Sequence, residues 1–141
     1  MRVAGIIAEC NPLHEGHRYL IKEARDKTCA EYIVVALSGD YVQRGAPSIL
    51  SRESRTEALL SAGADLVVEL PLYAACSGAD YFARGAVALM ENLGVVTDLV
   101  FGSETGDTDS LMEVSRRLNE ESEQFRAALT DRLREGLSYP S

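Results

Sequence analysis

Hydrophobic positions along this chain follow two rhythms. Short, almost unbroken apolar runs occur at 3–9 (VAGIIAE), 32–38 (YIVVALS), 65–70 (DLVVEL) and 98–102 (DLVFG). Each is β-branched or aliphatic and bounded by Gly, Pro, Ser or Asn, the pattern of strands covered on both faces. Between them the apolar residues take helical spacing. Tyr19, Leu20, Glu23, Ala24 and Lys27 alternate in this way after the first run. The segment 51–62 opens on a capping-box-like serine and closes at Gly63, and 78–93 closes at Gly94. Repeated strand–helix alternation predicts an α/β fold: a parallel sheet with helices on both faces and the ligand site at the carboxyl ends of the strands.

From residue 107 to 136 the pattern changes. Leu111, Val114, Leu118, Phe125, Leu129 and Leu133 recur at intervals of three, four and seven in a charged background, predicting one or two amphipathic helices. The expected division is therefore an α/β domain at 1–106, the ligand-binding part, and a helical extension at 107–141. The final Leu137-Ser-Tyr-Pro-Ser141 reads as the start of another turn, so a shortened chain is expected.

Composition adds limits. With 141 residues there is room for one domain and hardly two, and no Trp and nine Tyr or Phe leave the core aliphatic. The net charge of −8 is uneven: residues 1–60 balance, and 61–141 carry all of the excess. An acidic half disfavours nonspecific nucleic-acid binding, which needs clustered basic surface. The opening apolar run meets Glu9 too soon for a signal peptide or a membrane span. Three widely spaced cysteines without a CxxC argue against a disulfide framework or zinc site and fit a reduced, cytoplasmic setting.

Both histidines of the chain fall in Asn11-Pro-Leu-His-Glu-Gly-His17, directly after the first predicted strand. Asn11 suits a helix N-cap and Pro12 the first turn, so a helix is expected to begin there. His14 and His17 then share a face, and Gly16 leaves room for a ligand to approach the backbone. Free amides, a helix dipole and two imidazoles at a sheet's carboxyl edge make an anion site. Attack on the α-phosphate of ATP builds charge on the equatorial oxygens and on the departing pyrophosphate. Placed imidazole donors stabilise that charge without a covalent intermediate. No GxxxxGK[ST] or GxGxxG offers another phosphate cradle, and a zinc reading lacks a third ligand.

The run Gly5-Ile-Ile-Ala-Glu-Cys-Asn-Pro-Leu-His-Glu-Gly-His17 resembles the HxGH signature of the nucleotidylyltransferase superfamily, which implies a Rossmann-like sheet. Ser38-Gly-Asp-Tyr-Val-Gln-Arg-Gly45, Asp65-Leu-Val-Val-Glu-Leu-Pro71, Asp80-Tyr-Phe-Ala-Arg-Gly-Ala86 and Phe101-Gly-Ser-Glu104 resemble, in order, the tRNA(Met) cytidine acetate ligase family. That resemblance implies a cytoplasmic enzyme that activates acetate with ATP to acetyl-adenylate and acetylates the wobble cytidine of elongator tRNA(Met). Mg²⁺ is expected with ATP. It implies nucleotide contacts from Ile7, Ala8, Glu9, Cys10, Asn11, Pro12 and Leu13, and from His14, Glu15, Gly16, His17, Arg18, Tyr19 and Leu20. Gly102 is implied as a further contact, and His14 and His17 face the triphosphate. The family commonly has an aromatic residue at Cys10 and Phe at Leu13. It is also much longer, so this chain would be its N-terminal portion, without the RNA-handling part. Length alone equally fits a free-standing adenylyltransferase for a coenzyme precursor, and truncation would fit a nonenzymatic nucleotide-binding module.

Other candidates sit at the same predicted edge. Asp40 and Arg44 are substrate candidates or turn residues, Gln43 with Arg44 is a candidate to reach a carboxylate or phosphate, and Ser103 and Glu104 are candidates for lining the pocket. Arg52 and Arg55 are expected as surface salt-bridge partners or as phosphate or RNA contacts. Glu69 is either a buried catalytic carboxylate or a cap for the neighbouring loop.

Overall fold

The computed structural model describes residues 1–120 and 123–136. The expectation for 137–141 lies outside the described residues. Contacts group the chain into two compact units, Met1–Gly102 and Ser103–Ser141.

The first unit is a parallel sheet of four strands: β1 (Val3–Ala8), β2 (Tyr32–Ser38), β3 (Leu66–Leu70) and β4 (Asp98–Val100), in the order β3-β2-β1-β4. The strands are those predicted, trimmed at their ends: Glu9, Asp65 and Gly102 fall outside them. β1 pairs with β2 from Val3↔Tyr32 to Ala8↔Leu37, and with β4 from Ala4↔Asp98 to Ile6↔Val100. The chain steps outward from β1 through β2 to β3, then crosses to the other side of β1. The carboxyl end of β1 is therefore a topological switch point, where open α/β sheets bind ligands.

Alternation along the strands sorts the core onto two faces. Ala4, Ile6, Ile33, Val35 and Leu37 pack with Ile21 and Ala24 of α1 (Glu15–Thr28) and Leu59 of α2 (Arg52–Ser61). Val3, Val34 and Ala36 pack on the opposite side with Met90 of α4 (Ala79–Leu93). The short α3 (Leu72–Ala75) joins that side through Ala74 and Ala75 against Phe82 and Ala86. Gly94 ends α4 with φ of 69°, the left-handed turn its sequence position predicts.

The second unit contains two helices, α5 (Thr108–Glu120) and α6 (Glu123–Arg134). Leu111, Val114 and Leu118 remain exposed on α5, while Phe125 and Leu129 of α6 are half-buried. Among the described residues no helix is long and apolar enough to cross a membrane. Cys10, Cys29 and Cys76 are free.

A cleft built on two capping histidines

The first helix starts later than its sequence suggests. Its N-cap is His14, with extended backbone (φ −137°, ψ 176°), and Glu15 is the first helical residue. Asn11 is not the cap because its Oδ1 is spent elsewhere, accepting the Ile49 N–H at 2.6 Å. Pro12, joined to Asn11 by a cis bond, lies in the connecting loop, and the turn passes through Cys10 at φ 45°.

His14 and His17 together form a capping box. His14 Nδ1 accepts the Gly16 N–H at 3.1 Å, and His17 Nδ1 accepts the His14 N–H at 3.2 Å. The rings lie 3.9 Å apart between centroids, tilted by 37°. A capping box ordinarily pairs Ser or Thr with Glu or Gln; here imidazoles fill both places. Because each Nδ1 is an acceptor, each neutral ring must carry its proton on Nε2. The cap therefore selects the tautomer and leaves two Nε2–H donors side by side. Burial, reinforced by the nearby His14 ring, lowers the pKa of His17 and favours its neutral form.

The same network corrects the expectation of free amides. The His14 and Gly16 N–H groups serve the imidazoles, and the His17 N–H bonds the His14 carbonyl at 2.9 Å. Of the amides from 14 to 17, only that of Glu15 takes no part. Gly16 also has a use that was not foreseen. A Cβ there would stand 2.9 Å from His14 Cε1, so its missing side chain admits the imidazole.

A cleft of about 540 Å³ opens at this point, within the range of small-molecule sites. His14, His17, Asn11 and Pro12 line it from the turn and helix, and Ile7, Ala8, Glu9 and Cys10 from the end of β1. Leu20, Gln43 and Phe82 complete the wall. Gln43 was a sequence candidate for reaching a carboxylate or phosphate, whereas Phe82 was not singled out. Gln43 is carried into the cleft by the bond from its N–H to Glu9 Oε1 at 2.7 Å, and Phe82 by the buried stripe of α4. Burial pushes the Cys10 thiol up to about 11 against the pull of Arg55, so it is a protonated wall group at neutral pH.

Other candidates lie elsewhere. Leu13 packs against the core under α1, and Glu15, Arg18 and Tyr19 are exposed on that helix. Gly102 is exposed beyond β4 and is not among the cleft-lining residues. Asp40 Oδ1 accepts the Arg52 N–H at 3.0 Å, helping Ser51 to cap α2. Arg44, at φ 63°, is exposed and its N–H donates to the Ser77 carbonyl. Ser103 and Glu104 belong to the second unit, where Ser103 Oγ accepts the Gly106 N–H at 2.8 Å. Glu69 is exposed rather than buried and pairs with Arg52 at 2.7 Å. Arg52 is the surface salt-bridge partner expected, whereas Arg55 is fully buried and bonds only carbonyl oxygens.

A parallel sheet whose first strand–helix turn presents paired imidazoles to an open cleft defines a nucleotidyl-transferase type of domain. The chain belongs to the HIGH Nucleotidyl Transferase family, whose model matches residues 1–141. It is 48% identical over 141 residues to a tRNA(Met) cytidine acetate ligase of Clostridium kluyveri and 45% identical to that of Acetivibrio thermocellus. Both alignments take in 100% of this chain but only 35% and 34% of the relatives. The crystal structure of Thermotoga maritima TmcAL bound with alpha-thio ATP superposes with a TM-score of 0.90 at 40% identity. That match covers 99% of this chain and 34% of the other. The chain thus spans about a third of the length of the relatives it matches.

Proposed function

We propose that this chain is the ATP-binding domain of a cytoplasmic ligase that makes acetyl-adenylate and acetylates the wobble cytidine of elongator tRNA(Met). The observation that carries the reading is the pair of Nε2–H donors that the capping box holds at the mouth of the cleft. Whole-chain similarity to tRNA(Met) cytidine acetate ligases, and to a structure holding an ATP analogue, supports the choice of substrate.

In this reading the triphosphate rests against His14 and His17. An acetate oxygen attacks the α-phosphorus, the bond to the bridging oxygen breaks, and pyrophosphate leaves. The two imidazole N–H groups stabilise charge as it grows on the phosphate oxygens. The cytidine amine then takes the acetyl group and AMP departs. Among the described residues Glu9 is the one carboxylate lining the cleft, and its Oε1 accepts the Gln43 N–H. Among the described residues no group of three or more His, Cys, Asp or Glu side chains is placed to hold a metal. The described side chains therefore do not by themselves form a Mg²⁺ cage.

The test is acetate-dependent exchange of pyrophosphate into ATP by the full-length protein, in wild type and in His14→Ala and His17→Ala. Exchange that needs acetate and falls in both variants supports the reading. Unchanged rates in both, or exchange that needs a phosphorylated coenzyme precursor instead, would overturn it.

A further inference from the structure

A full positive charge lies buried behind the cleft and forms no ion pair among the described residues. Arg55, on the second turn of α2, is 0% exposed. Its Nη1 donates to the Glu9 carbonyl at 2.8 Å, its Nε to the Leu50 carbonyl at 3.2 Å, and its Nη2 to the Gly39 carbonyl. Those carbonyls come from the loop after β1, the loop after β2 and the approach to α2. One guanidinium therefore ties together three segments at the carboxyl edge of the sheet. No ion pair of Arg55 occurs among the described residues.

Burying an ion is costly unless its surroundings or its function compensate. Carbonyl dipoles satisfy the donors but leave the net charge in place. The wall in front of it is Glu9 and Cys10, both lining the cleft. The Cys10 thiol registers that charge, since Arg55 opposes the effect of burial on it. Among the described residues no Lys or Arg lines the cleft, and the only formal charge on that wall is the carboxylate of Glu9. A site for a polyanion would thus face a wall without cations, backed by one buried cation that water screens poorly.

We propose that Arg55 is a positioning residue of the nucleotide site, holding the Glu9–Cys10 turn that leads to His14 while its unneutralised charge favours polyphosphate over uncharged nucleoside. The inference rests on the cleft being the ATP site. It requires neither acetate nor tRNA.

The experiment measures binding of ATP and of adenosine, by calorimetry, to the full-length protein in wild type, R55M, R55Q and R55K. Methionine removes charge and donors, glutamine keeps donors without charge, and lysine keeps the charge. The preference for ATP over adenosine is expected to fall on the order of tenfold in R55M and R55Q. It should stay within about threefold of wild type in R55K, even where the melting temperature drops. Should R55M not fold, R55Q carries the same comparison. Equal losses for ATP and adenosine, or a preference unchanged in R55Q, would reduce Arg55 to a structural tie and overturn the proposal. A preference lost in R55K as well would overturn the role of charge. Wild-type protein that binds no ATP would instead remove the nucleotide site itself.

Discussion

Gly16 and His14 share a space that only one side chain can fill. A β-carbon at Gly16 would meet His14 Cε1 at 2.9 Å and Nδ1 at 3.1 Å. Alanine in an exposed helical turn ordinarily adds about 0.5–1 kcal/mol relative to glycine. Here it must push the imidazole off its cap. Gly16→Ala is therefore expected to leave the melting temperature nearly unchanged while weakening ATP binding by about tenfold or more. Titration calorimetry beside thermal melts checks this, and unimpaired binding would show that the ring has room to move.

The two duties of His14 can be separated. Asparagine is among the best N-caps, so His14→Asn should keep the helix start, whereas His14→Ala should cost about 1 kcal/mol. Neither variant carries an Nε2–H donor. Both should lose pyrophosphate exchange by about a hundredfold, the usual scale for one removed transition-state donor. If the Asn variant retained exchange, capping rather than phosphate contact would be the function of that ring.

The pH dependence follows from the capping bonds. His17 Nδ1 cannot accept the His14 N–H once protonated, and burial together with His14 lowers its pKa in the folded protein. An unfolded chain takes up the same proton near pH 6.5. Between those two values the unfolded state holds more protons, so stability falls as pH falls below about 6.5. Above that value this contribution is complete and flat. Urea denaturation across pH 5–8 should show the slope, and His17→Gln should make it shallower.

Asp40 tests how far position at the active edge implies chemistry. Its carboxylate accepts the Arg52 N–H and thereby serves the N-terminus of α2. Asp40→Asn is expected to leave exchange within about threefold of wild type, and Asp40→Ala to lower stability by about 1 kcal/mol. A large loss of exchange in the Asn variant, measured at unchanged stability, would return Asp40 to the substrate site.

The acidic half of the chain bears on RNA. Residues 61–141 carry six Lys or Arg against fourteen Asp or Glu, which offers little to phosphates. Residues 1–141 alone should bind tRNA feebly, with little salt dependence in a filter-binding or anisotropy assay. Tight, strongly salt-sensitive binding would place a nucleic-acid surface on this chain.

Much of this molecule was readable from local pattern. A parallel strand in a covered sheet is a continuous apolar run, and so β1 to β4 and the helices closing at Gly63 and Gly94 announced themselves. Only β1 and β2 are largely buried, while the edge strands β3 and β4 leave Leu66 and Leu99 exposed. HxGH after the first strand marked the cleft, because both histidines of the chain are spent on one turn. The onset of α1 was not readable, since Asn11 is as good a cap as His14 until its oxygen is claimed by Ile49, distant in sequence. Phe82 was missed for a similar reason: it reaches the cleft through the packing of α4, a distant segment.

By itself, then, the order of residues determined the layers of the sheet, the edge at which the cleft opens and the two rings that line it. Periodicity and turn chemistry act over a few residues, and these features depend on little else. Tertiary structure alone decided which polar groups remain uncommitted. It turned Asn11, Asp40 and Arg55 toward backbone groups far along the chain and fixed the tautomer of both imidazoles. A hydrogen bond needs its partner within about 3 Å, and folding determines which distant partner arrives.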